Sequence, residues 1–415
     1  MSKTSTTVRV GLGEAGHAVG ELTFESDARR ETSVFRYAQA WLESPQRFAL
    51  APSMPLSESP FYHAARREDR RAALPGAVSD SAPDSWGRGL IRKASKRPLT
   101  ELDLLLAAND KTRQGALRYL DEDGRPMAHS SPAVPRVTEL REVRRLAGTG
   151  LDDLPPAERD RLVGSAGSLG GARPKASVVD DDGGLMIAKF TSEDDTMPIE
   201  RVEVATLNLA RAAGLNAASA RLELGDTPRP VALIRRFDRR DGERVGYLSA
   251  QSFVAADAGT GAYYTDIADA LRAHAFDVKR ELAELYRRIL FTILVCNNDD
   301  HLRNHGLLHI AHGQWALSPA FDINPQPHRH RHLETGISEL SGNAASIEAA
   351  LEAAPFFEID RDGARTMLGG MIRVIDSRWR IECRKVGMDT REVNAYTPAF
   401  DHEETRTARR LAKEP

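Results

Sequence analysis

Apolar and polar residues alternate over residues 7–25, which is the pattern of a two-stranded β-hairpin. The stretch F-R-Y-A-Q-A-W-L at 35–42 extends this hairpin into a small α/β unit, and residues 64–107 carry a mostly helical pattern. A strand is expected in the apolar stretch G-A-L-R-Y-L that begins at Gly115. The polar loop at 121–132 then marks a boundary. The pattern therefore predicts a first subdomain over residues 1–125.

Two helical patterns, V-T-E-L-R-E-V-R-R-L-A and P-A-E-R-D-R-L, open the middle of the chain. Strands and turns dominate residues 163–195, a helix is predicted from about Pro198 to Ala213, and Gly214 closes it. Strands resume through R-P-V-A-L-I-R-R-F-D. From about residue 261 the pattern is helical except around 299–325, and the polar tail from about 401 is expected to fray. These shifts predict two further domains, over 126–258 and 259–415.

One glycine motif near the N-terminus resembles a nucleotide site without its context. G-L-G-E-A-G, from Gly11 to Gly16, matches the dinucleotide fingerprint G-x-G-x-x-G. That fingerprint requires a helix after the glycines, whereas H-A-V-G-E-L-T-F reads as a second strand. We therefore predict a hairpin turn there.

Composition and charge narrow the class of protein. The 415 residues are 41% hydrophobic and 28% charged, with a net charge of −3, which is typical of a globular protein without general affinity for polyanions. The two cysteines form no C-x-x-C motif, so neither a zinc site nor a disulfide framework is expected. The N-terminus lacks the apolar core of a signal peptide, and no stretch approaches the ~18 apolar residues of a spanning helix. We therefore expect a cytoplasmic protein that does not enter a membrane.

A glycine-rich stretch, G-S-A-G-S-L-G-G-A-R-P-K, runs from Gly164 to Lys175. Clustered glycines allow backbone N–H groups to converge on an anion, so this stretch is a candidate phosphate-binding loop. The spacing is not that of a Walker A motif, and a flexible loop is the alternative.

A lysine and a glutamate follow at a spacing that protein kinases use. Lys189 ends the short apolar strand G-L-M-I-A-K-F, and Glu203 lies 14 residues later on a predicted helix. A strand lysine held by a helix glutamate grips the α- and β-phosphates of ATP in kinases. Glu200, one turn away, is an equally open partner, and an edge-strand lysine is the structural alternative.

The segment C-N-N-D-D-H-L-R-N follows the apolar run L-F-T-I-L-V. Asp299 precedes Asn304 by five residues, as in the kinase catalytic loop D-x-x-x-x-N, where the aspartate accepts the hydroxyl proton and the asparagine holds a metal ion. Asp300 competes for the base role, but it lies one position too close to Asn304. A polar cap on the preceding helix is the alternative reading.

A second aspartate completes the pattern. Asp322 is expected at the end of the apolar strand in W-A-L-S-P-A-F-D-I, 18 residues after Asn304, where the D-F-G aspartate of kinases binds Mg²⁺. Ile and Asn follow it rather than Phe and Gly. The ordered set of these pieces predicts an α+β, two-lobed protein-kinase-like fold, with a mixed α/β N-lobe, a mostly helical C-lobe and an extra small N-terminal α/β subdomain.

The same residues carry a family resemblance. S-L-G-G-A-R-P-K at Ser168, N-D-D-H-L-R-N at Asn298 and L-S-P-A-F-D-I at Leu317 resemble the HipA family of bacterial type II toxin–antitoxin serine/threonine kinases. The likeness extends to V-G-E-L-T, P-D-S-W-G, G-L-N and R-F-D-R-R, and so covers nearly the whole chain.

The resemblance implies roles for individual residues. Asp299 would be the catalytic base, and Asn304 and Asp322 would bind Mg²⁺. Ser168 would be autophosphorylated, which would eject the phosphate loop and switch the kinase off. ATP would contact the remaining residues, which are Gly170, Gly171, Ala172, Arg173, Pro174, Lys175, Lys189, Glu203, Arg235, Arg236, Phe237, His301 and Phe321.

The resemblance also implies a function and partners. The protein would phosphorylate a hydroxyl group of another protein, either a translation factor or an aminoacyl-tRNA synthetase. It would also bind a helix-turn-helix antitoxin of the HipB type, and it would contact DNA only indirectly, through that antitoxin. Three features depart from the family pattern: Arg235 stands where relatives can carry an acidic residue, Pro174 removes a donor from the phosphate loop, and a basic run occupies 328–332. This run could bind an acidic substrate or DNA, or simply be solvated.

Two other functions fit parts of the sequence. Small-molecule kinases, such as those of the aminoglycoside-kinase kind, share the D-x-x-x-x-N and later aspartate, although the N-terminal subdomain argues against them. A catalytically idle co-repressor of a DNA-binding antitoxin is the other alternative, which the intact set of catalytic residues disfavours.

Overall fold

The secondary structure follows the predicted order of elements. The computed structural model describes residues 4–27, 29–65, 70–128, 133–165, 173–192, 195–256, 262–327 and 332–412. Up to residue 165 the strands are β1 (Thr4–Leu12), β2 (His17–Ser26), β3 (Glu31–Tyr37), β4 (Phe61–Ala64) and β5 (Leu117–Leu120). The helices of this part are α1 (Gln39–Glu43), α2 (Gly76–Ser79), α3 (Ser85–Ala94), α4 (Glu101–Ala107), α5 (Leu140–Gly148) and α6 (Pro156–Ser165).

The rest of the chain begins with short strands and ends with helices. The strands are β6 (Lys175–Val179), β7 (Leu185–Phe190), β8 (Ala220–Glu223), β9 (Val231–Arg235), β10 (Arg239–Arg240), β11 (Glu243–Arg244), β12 (Tyr247–Ser249), β13 (Gly306–Ala311) and β14 (Gln314–Leu317). The helices are α7 (Ile199–Ala212), α8 (Ala250–Phe253), α9 (Tyr264–His274), α10 (Val278–Leu294), α11 (Ile347–Ala353), α12 (Arg361–Lys385), α13 (Thr390–Ala395), α14 (Thr397–Phe400) and α15 (Glu403–Leu411).

The chain divides into two compact units. The first consists of Met1–Ser192, Arg236–Ala258 and Leu308–Gly313, and the second of Glu193–Arg235, Gly259–Leu307 and Gln314–Pro415. The chain therefore passes from the second unit back to the first between Arg235 and Arg236, inside the R-F-D-R-R motif. No helix among the described residues has the length and apolarity needed to cross a membrane.

A five-stranded antiparallel sheet in the order β4-β3-β2-β1-β5 builds the first unit. Alternate residues of its strands are buried, including Val8, Val10 and Leu22, which is why the sequence alternates. The G-L-G-E-A-G motif is the turn between β1 and β2, and Gly13 and Gly16 take the positive φ values of +72° and +65° that glycine adopts without strain. The predicted hairpin is thus confirmed.

The N-terminal sheet is joined to the R-F-D-R-R motif by a buried ionic network within the first unit. Asp238 accepts a 2.7 Å hydrogen bond from the backbone N of Gly115, and Arg236 donates at 2.6 Å to the carbonyl of Thr112. Arg236 and Arg239 both pair with Asp238, and their charges lower the pKa of Asp238 to about 2 against the effect of burial. The network satisfies the carbonyls between α4 and β5 with charge-assisted bonds.

A long apolar helix, α10, forms the centre of the second unit. Asp277 caps its N-terminus by accepting from Arg280 N at 3.1 Å, and Leu290 and Leu294 are fully buried near its end. The glycine that follows α7, Gly214, has φ +89°, as predicted for a helix terminator.

The predicted fraying of the C-terminal tail is wrong. Helix α15 begins after His402, whose backbone N donates to Thr405 Oγ1 at 2.8 Å, and it buries Thr405, Ala408 and Leu411. These positions recur every three residues and so share one face of the helix. The many charged residues between them concealed this narrow apolar face in the sequence.

Candidate active site

The C-N-N-D-D-H-L-R-N segment forms a tight turn at the end of α10. Cys296, two residues after the end of α10, adopts a left-handed backbone with φ +53°, and the backbone N of Asn297 donates to the carbonyl of Thr292 at 3.0 Å. A left-handed non-glycine residue costs about 1–3 kcal/mol and persists where the surroundings hold it, commonly at functional sites. The chain therefore leaves the helix in a fixed direction.

The two aspartates of this segment differ in burial. Asp299 is exposed, whereas Asp300 is only 4% exposed. Asp300 accepts from Thr292 Oγ1 at 3.3 Å, and its Oδ1 lies 3.1 Å from His305 Nε2. The His305 ring in turn packs edge-on against Tyr264, with 5.3 Å between the ring centroids. Asp300 is thus committed to holding the loop, while the Asp299 carboxylate faces solvent.

The amide of Asn304 is oriented by the same loop. Its Nδ2 donates to the Asp299 carbonyl at 2.8 Å, so that the amide oxygen Oδ1 points away from that carbonyl. Asn304 ends the 3-10 turn Leu302–Asn304 and is 8% exposed. Nearby, His301 has a buried Nδ1 with no hydrogen-bond partner within the described part of the chain. An oriented amide oxygen and an unsatisfied ring nitrogen are the groups that a bound ligand would engage.

The segment that carries Asp322 is not the end of a strand, contrary to the sequence prediction. Strand β14 ends at Leu317, five residues earlier, and Asp322 follows in a loop with φ +56°. Ala320 fixes this loop, since its N donates to the Asn216 carbonyl at 2.7 Å and its carbonyl accepts from Ala218 N at 2.9 Å. The G-L-N motif therefore supports the S-P-A-F-D motif through its backbone.

Helix α10 holds the start of the same segment with charged side chains. Glu281 Oε2 accepts from Leu317 N at 2.8 Å, and Arg288 Nη2 donates to the Ser318 carbonyl at 2.6 Å. Burial raises the pKa of Glu281 above that of a solvated glutamate. Each bond satisfies a backbone group at the end of β14, so the chain is held in place where it continues toward Asp322.

Two hydrogen bonds join the Asp322 segment to the Asp299 loop. The backbone N of Asn324 donates to Asn297 Oδ1 at 3.1 Å, and that of Gln326 donates to the Cys296 carbonyl at 3.0 Å. The second unit therefore brings together the segments of Asp299, Asn304 and Asp322, which lie up to 23 positions apart in the chain. Sequence analysis proposed these three residues, whose roles stay predictions, but it did not consider Asn297 and Asn324.

In the first unit, the lysines predicted to contact nucleotide lie on neighbouring strands. Lys175 of β6 is the antiparallel partner of Lys189 of β7, so their side chains leave the same face, and they are 2% and 8% exposed. Lys175 Nζ is 2.9 Å from Asp84 Oδ2, and Asp84 is also buried. Asp84 also caps α3 by accepting from Gly87 N. The P-D-S-W-G motif thus supplies the counter-ion of Lys175.

The residues predicted to border adenine are those where the chain passes from the second unit to the first. Arg235 ends β9 and donates its backbone N to the Ser219 carbonyl at 2.8 Å. Arg236 is buried in the ionic network with Asp238, and the half-buried Phe237 ring lies 6.3 Å from that of Tyr247. The Arg236 side chain therefore stabilises the first unit through its bonds to Asp238 and to the Thr112 carbonyl, a role that its sequence position did not reveal.

Several predicted residues stay predictions. Ser168, Gly170, Gly171, Ala172 and most of the basic run 328–332 lie outside the described residues, although Arg173, Pro174 and His332 lie within them. Glu200 and Glu203 are both 2% exposed on α7, so burial does not choose between them as partner of Lys189. Phe321 is half-buried beside Asp322.

The site chemistry fits a hard divalent cation that arrives with its own ligands. Asn304 and Asp322 offer amide and carboxylate oxygens, which are the donors Mg²⁺ prefers. No cluster of three or more His, Cys, Asp or Glu suited to a metal occurs in the part of the chain that is described. Mg²⁺ commonly binds through one or two carboxylates plus substrate phosphates, so these donors fit a cation delivered with a nucleotide.

The chain is similar to known proteins over most of its length. The chain matches the family model described as the HipA-like C-terminal domain over residues 167–379 and that of the HipA N-terminal domain over residues 14–120. A Sinorhizobium fredii protein named "Putative kinase Y4mE" is 27% identical over 352 residues, which cover 76% of this chain and 77% of the relative.

The solved structure of HipA from Shewanella oneidensis MR-1, in complex with HipB and operator DNA, shares the fold. It matches 98% of this chain and 100% of its own chain with a TM-score of 0.70, at 16% identity. The α+β, kinase-like fold class predicted from the sequence is confirmed by this match. With both domain models matched in order along its length, the chain belongs to the HipA family.

Proposed function

We propose that this protein is an ATP-dependent kinase that phosphorylates a serine or threonine hydroxyl of another protein. The observation that carries the proposal is the exposure of Asp299 on a loop where both of its chain neighbours, Asn298 and Asp300, are buried. A general base must be reachable by its substrate and held in position, and Asp299 meets both conditions. Asp300 does not, because Thr292 and His305 occupy its carboxylate.

The proposed reaction uses the groups of the second unit in distinct roles. The Asp299 carboxylate takes the proton of the substrate hydroxyl, whose oxygen then bonds to the γ-phosphorus of ATP. The bond from that phosphorus to the bridging oxygen breaks, and ADP leaves with the electron pair. Asn304 and Asp322 would hold Mg²⁺, which would supply positive charge beside the transferring phosphoryl group.

The first unit contributes nucleotide contacts in this proposal. Lys189 would contact the α-phosphate, with Glu203 or Glu200 as its partner. Lys175 has a buried counter-ion in Asp84 and is the antiparallel partner of Lys189, so the two lysines leave the same face of the hairpin. Residues 235–237 would border adenine through their backbone, since the side chain of Arg236 is bonded elsewhere.

Regulation and partners follow the family and remain part of the proposal. We expect autophosphorylation at Ser168, because a phosphate there would compete with ATP for the same donors. The solved HipA relative binds HipB and operator DNA, which supports a HipB-type antitoxin as partner here. The target would be a translation factor or an aminoacyl-tRNA synthetase in the cytoplasm.

Mass spectrometry of the purified full chain after incubation with Mg²⁺-ATP tests the proposal. We expect one phosphate on Ser168 in the wild type and a loss of at least about 100-fold in the rate of incorporation in Asp299→Asn. Asp269→Asn is a matched control, because Asp269 lies in the same unit with its side chain 76% exposed. Wild-type incorporation in Asp299→Asn would refute the assignment of the base.

If no variant modifies itself, transfer to other proteins decides the main proposal. Host lysate would be incubated with a γ-thiophosphate ATP analogue and each variant, and labelled proteins would be identified by mass spectrometry. Labelling by the wild type and by Asp269→Asn, but not by Asp299→Asn, supports a protein kinase that does not autophosphorylate. The absence of Asp299-dependent labelling argues for a co-repressor or a small-molecule kinase.

A further inference from the structure

An asparagine stands two residues after Asp322, at the position where the D-F-G motif of protein kinases has glycine. Asn324 is half-buried and makes two different hydrogen bonds. Its side-chain Nδ2 donates to Asp322 Oδ1 at 2.9 Å, and its backbone N donates to Asn297 Oδ1 at 3.1 Å. A glycine would make only the backbone bond.

The side-chain bond from Asn324 orients the carboxylate of Asp322. Asp322 holds the left-handed φ of +56°, and its carboxylate can rotate about a soft terminal torsion. The bond from Asn324 Nδ2 occupies Oδ1 and so fixes the plane of the carboxylate. Hydrogen bonds of this kind orient carboxylate ligands of metals and tune their affinity.

The other end of the Asn324 amide is unsatisfied. Its Oδ1 is buried and accepts no hydrogen bond from any residue that the structure describes. The same is true of Gln326 Oε1 on the same segment. A buried amide oxygen without a partner costs free energy, so a donor such as water is expected there when the site is filled.

We propose that Asn324 is a positioning residue for Asp322 and that its amide oxygen accepts a hydrogen bond from a water molecule bound to the divalent cation. The inference rests on the proposed function, since it concerns the cation that enters with ATP. It explains why this chain has D-I-N rather than D-F-G, because the asparagine supplies an orienting donor and a second-layer acceptor that glycine lacks.

A purely structural role for Asn324 would act through its backbone, and this separates the two explanations. The bond to Asn297 uses the backbone N of Asn324 and therefore survives replacement of the side chain. Asn324→Leu keeps the approximate size of the side chain and removes both the donor and the acceptor. Asn343 offers a matched control, because its Nδ2 donates at 2.7 Å to a backbone carbonyl, that of Leu333, in the same unit.

Binding of Mn²⁺ in the presence of a non-hydrolysable ATP analogue, followed by electron paramagnetic resonance, tests the inference without turnover. In Asn324→Leu we expect the dissociation constant of Mn²⁺ to rise about 10- to 100-fold, with the affinity for the analogue alone unchanged. Asn343→Ala should bind Mn²⁺ as the wild type does. If Asn324→Leu fails to fold, as judged by circular dichroism, Asn324→Ala replaces it with the same expectation.

The outcomes distinguish this inference from the proposed function. Wild-type binding together with equally tight binding by the Asn324 variants would overturn the positioning role and leave the kinase proposal intact. A wild-type protein that binds no nucleotide-dependent Mn²⁺ would overturn the kinase proposal and the inference with it.

Discussion

Removal of the negative charge of Asp84 should destabilise the first unit strongly. Lys175 is buried against Asp84 at 2.9 Å and is the strand partner of Lys189, so Asp84→Asn removes the carboxylate that faces a buried ammonium group. Loss of one partner of a buried pair costs about 3–5 kcal/mol. Asparagine caps helices about as well as aspartate, so the change isolates the charge and largely spares the bond to Gly87 N.

Urea denaturation followed by circular dichroism and tryptophan fluorescence measures this loss. Asp103→Asn is the control, because Asp103 is also bonded at a helix N-terminus but pairs with Arg97, whose side chain is 66% exposed. Exposed pairs contribute about 0–1 kcal/mol, so this variant should change the free energy of unfolding little. Burial raises the pKa of Asp84 despite the lysine, which shows that desolvation opposes the pair.

The double variant Asp84→Asn, Lys175→Met completes the test. With both charges removed, no ammonium group is left buried, and most of the lost free energy of unfolding should return. If Asp84→Asn alone loses less than about 1 kcal/mol, the reasoning about the buried lysine is wrong.

Three further predictions concern other parts of the fold. Burial raises the pKa of Asp80 from 3.8 to about 6, so the folded state binds this proton more tightly than the unfolded state does. The free energy of unfolding should therefore fall by about 3 kcal/mol as pH rises from about 4 to 6. Urea titrations across this range should show that this pH-dependent loss is absent in Asp80→Asn. Asp238→Asn should lower the free energy of unfolding by about 3–5 kcal/mol at neutral pH. The difference from the wild type should shrink as pH falls from about 4 to 2, because wild-type Asp238 itself becomes protonated there. Truncation after Asp401 removes α15, which buries Thr405, Ala408 and Leu411, and should lower the melting temperature of the protein.

Local rules were sufficient for most elements of the fold, whereas the roles of the three central residues of the proposed site stay predictions. Alternation identified the β1–β2 hairpin, and the absence of a helical pattern after Gly16 correctly predicted a turn between two strands. Spacing proposed Asp299, Asn304 and Asp322, because in protein kinases the catalytic loop precedes the metal-binding aspartate along the chain. The charged face of α15 misled the same reasoning, since three buried positions in nine residues leave a weak signal.

The sequence by itself determined which chemical groups are present and in what order, because periodicity and motif spacing depend on neighbours along the chain. Only the tertiary structure decided which groups are already committed to one another. Lys175 is paired with Asp84, 91 positions away, and Asp300 is held by Thr292 and His305 while Asp299 faces solvent. Burial and partner choice depend on contacts between distant segments, so no local pattern contains them.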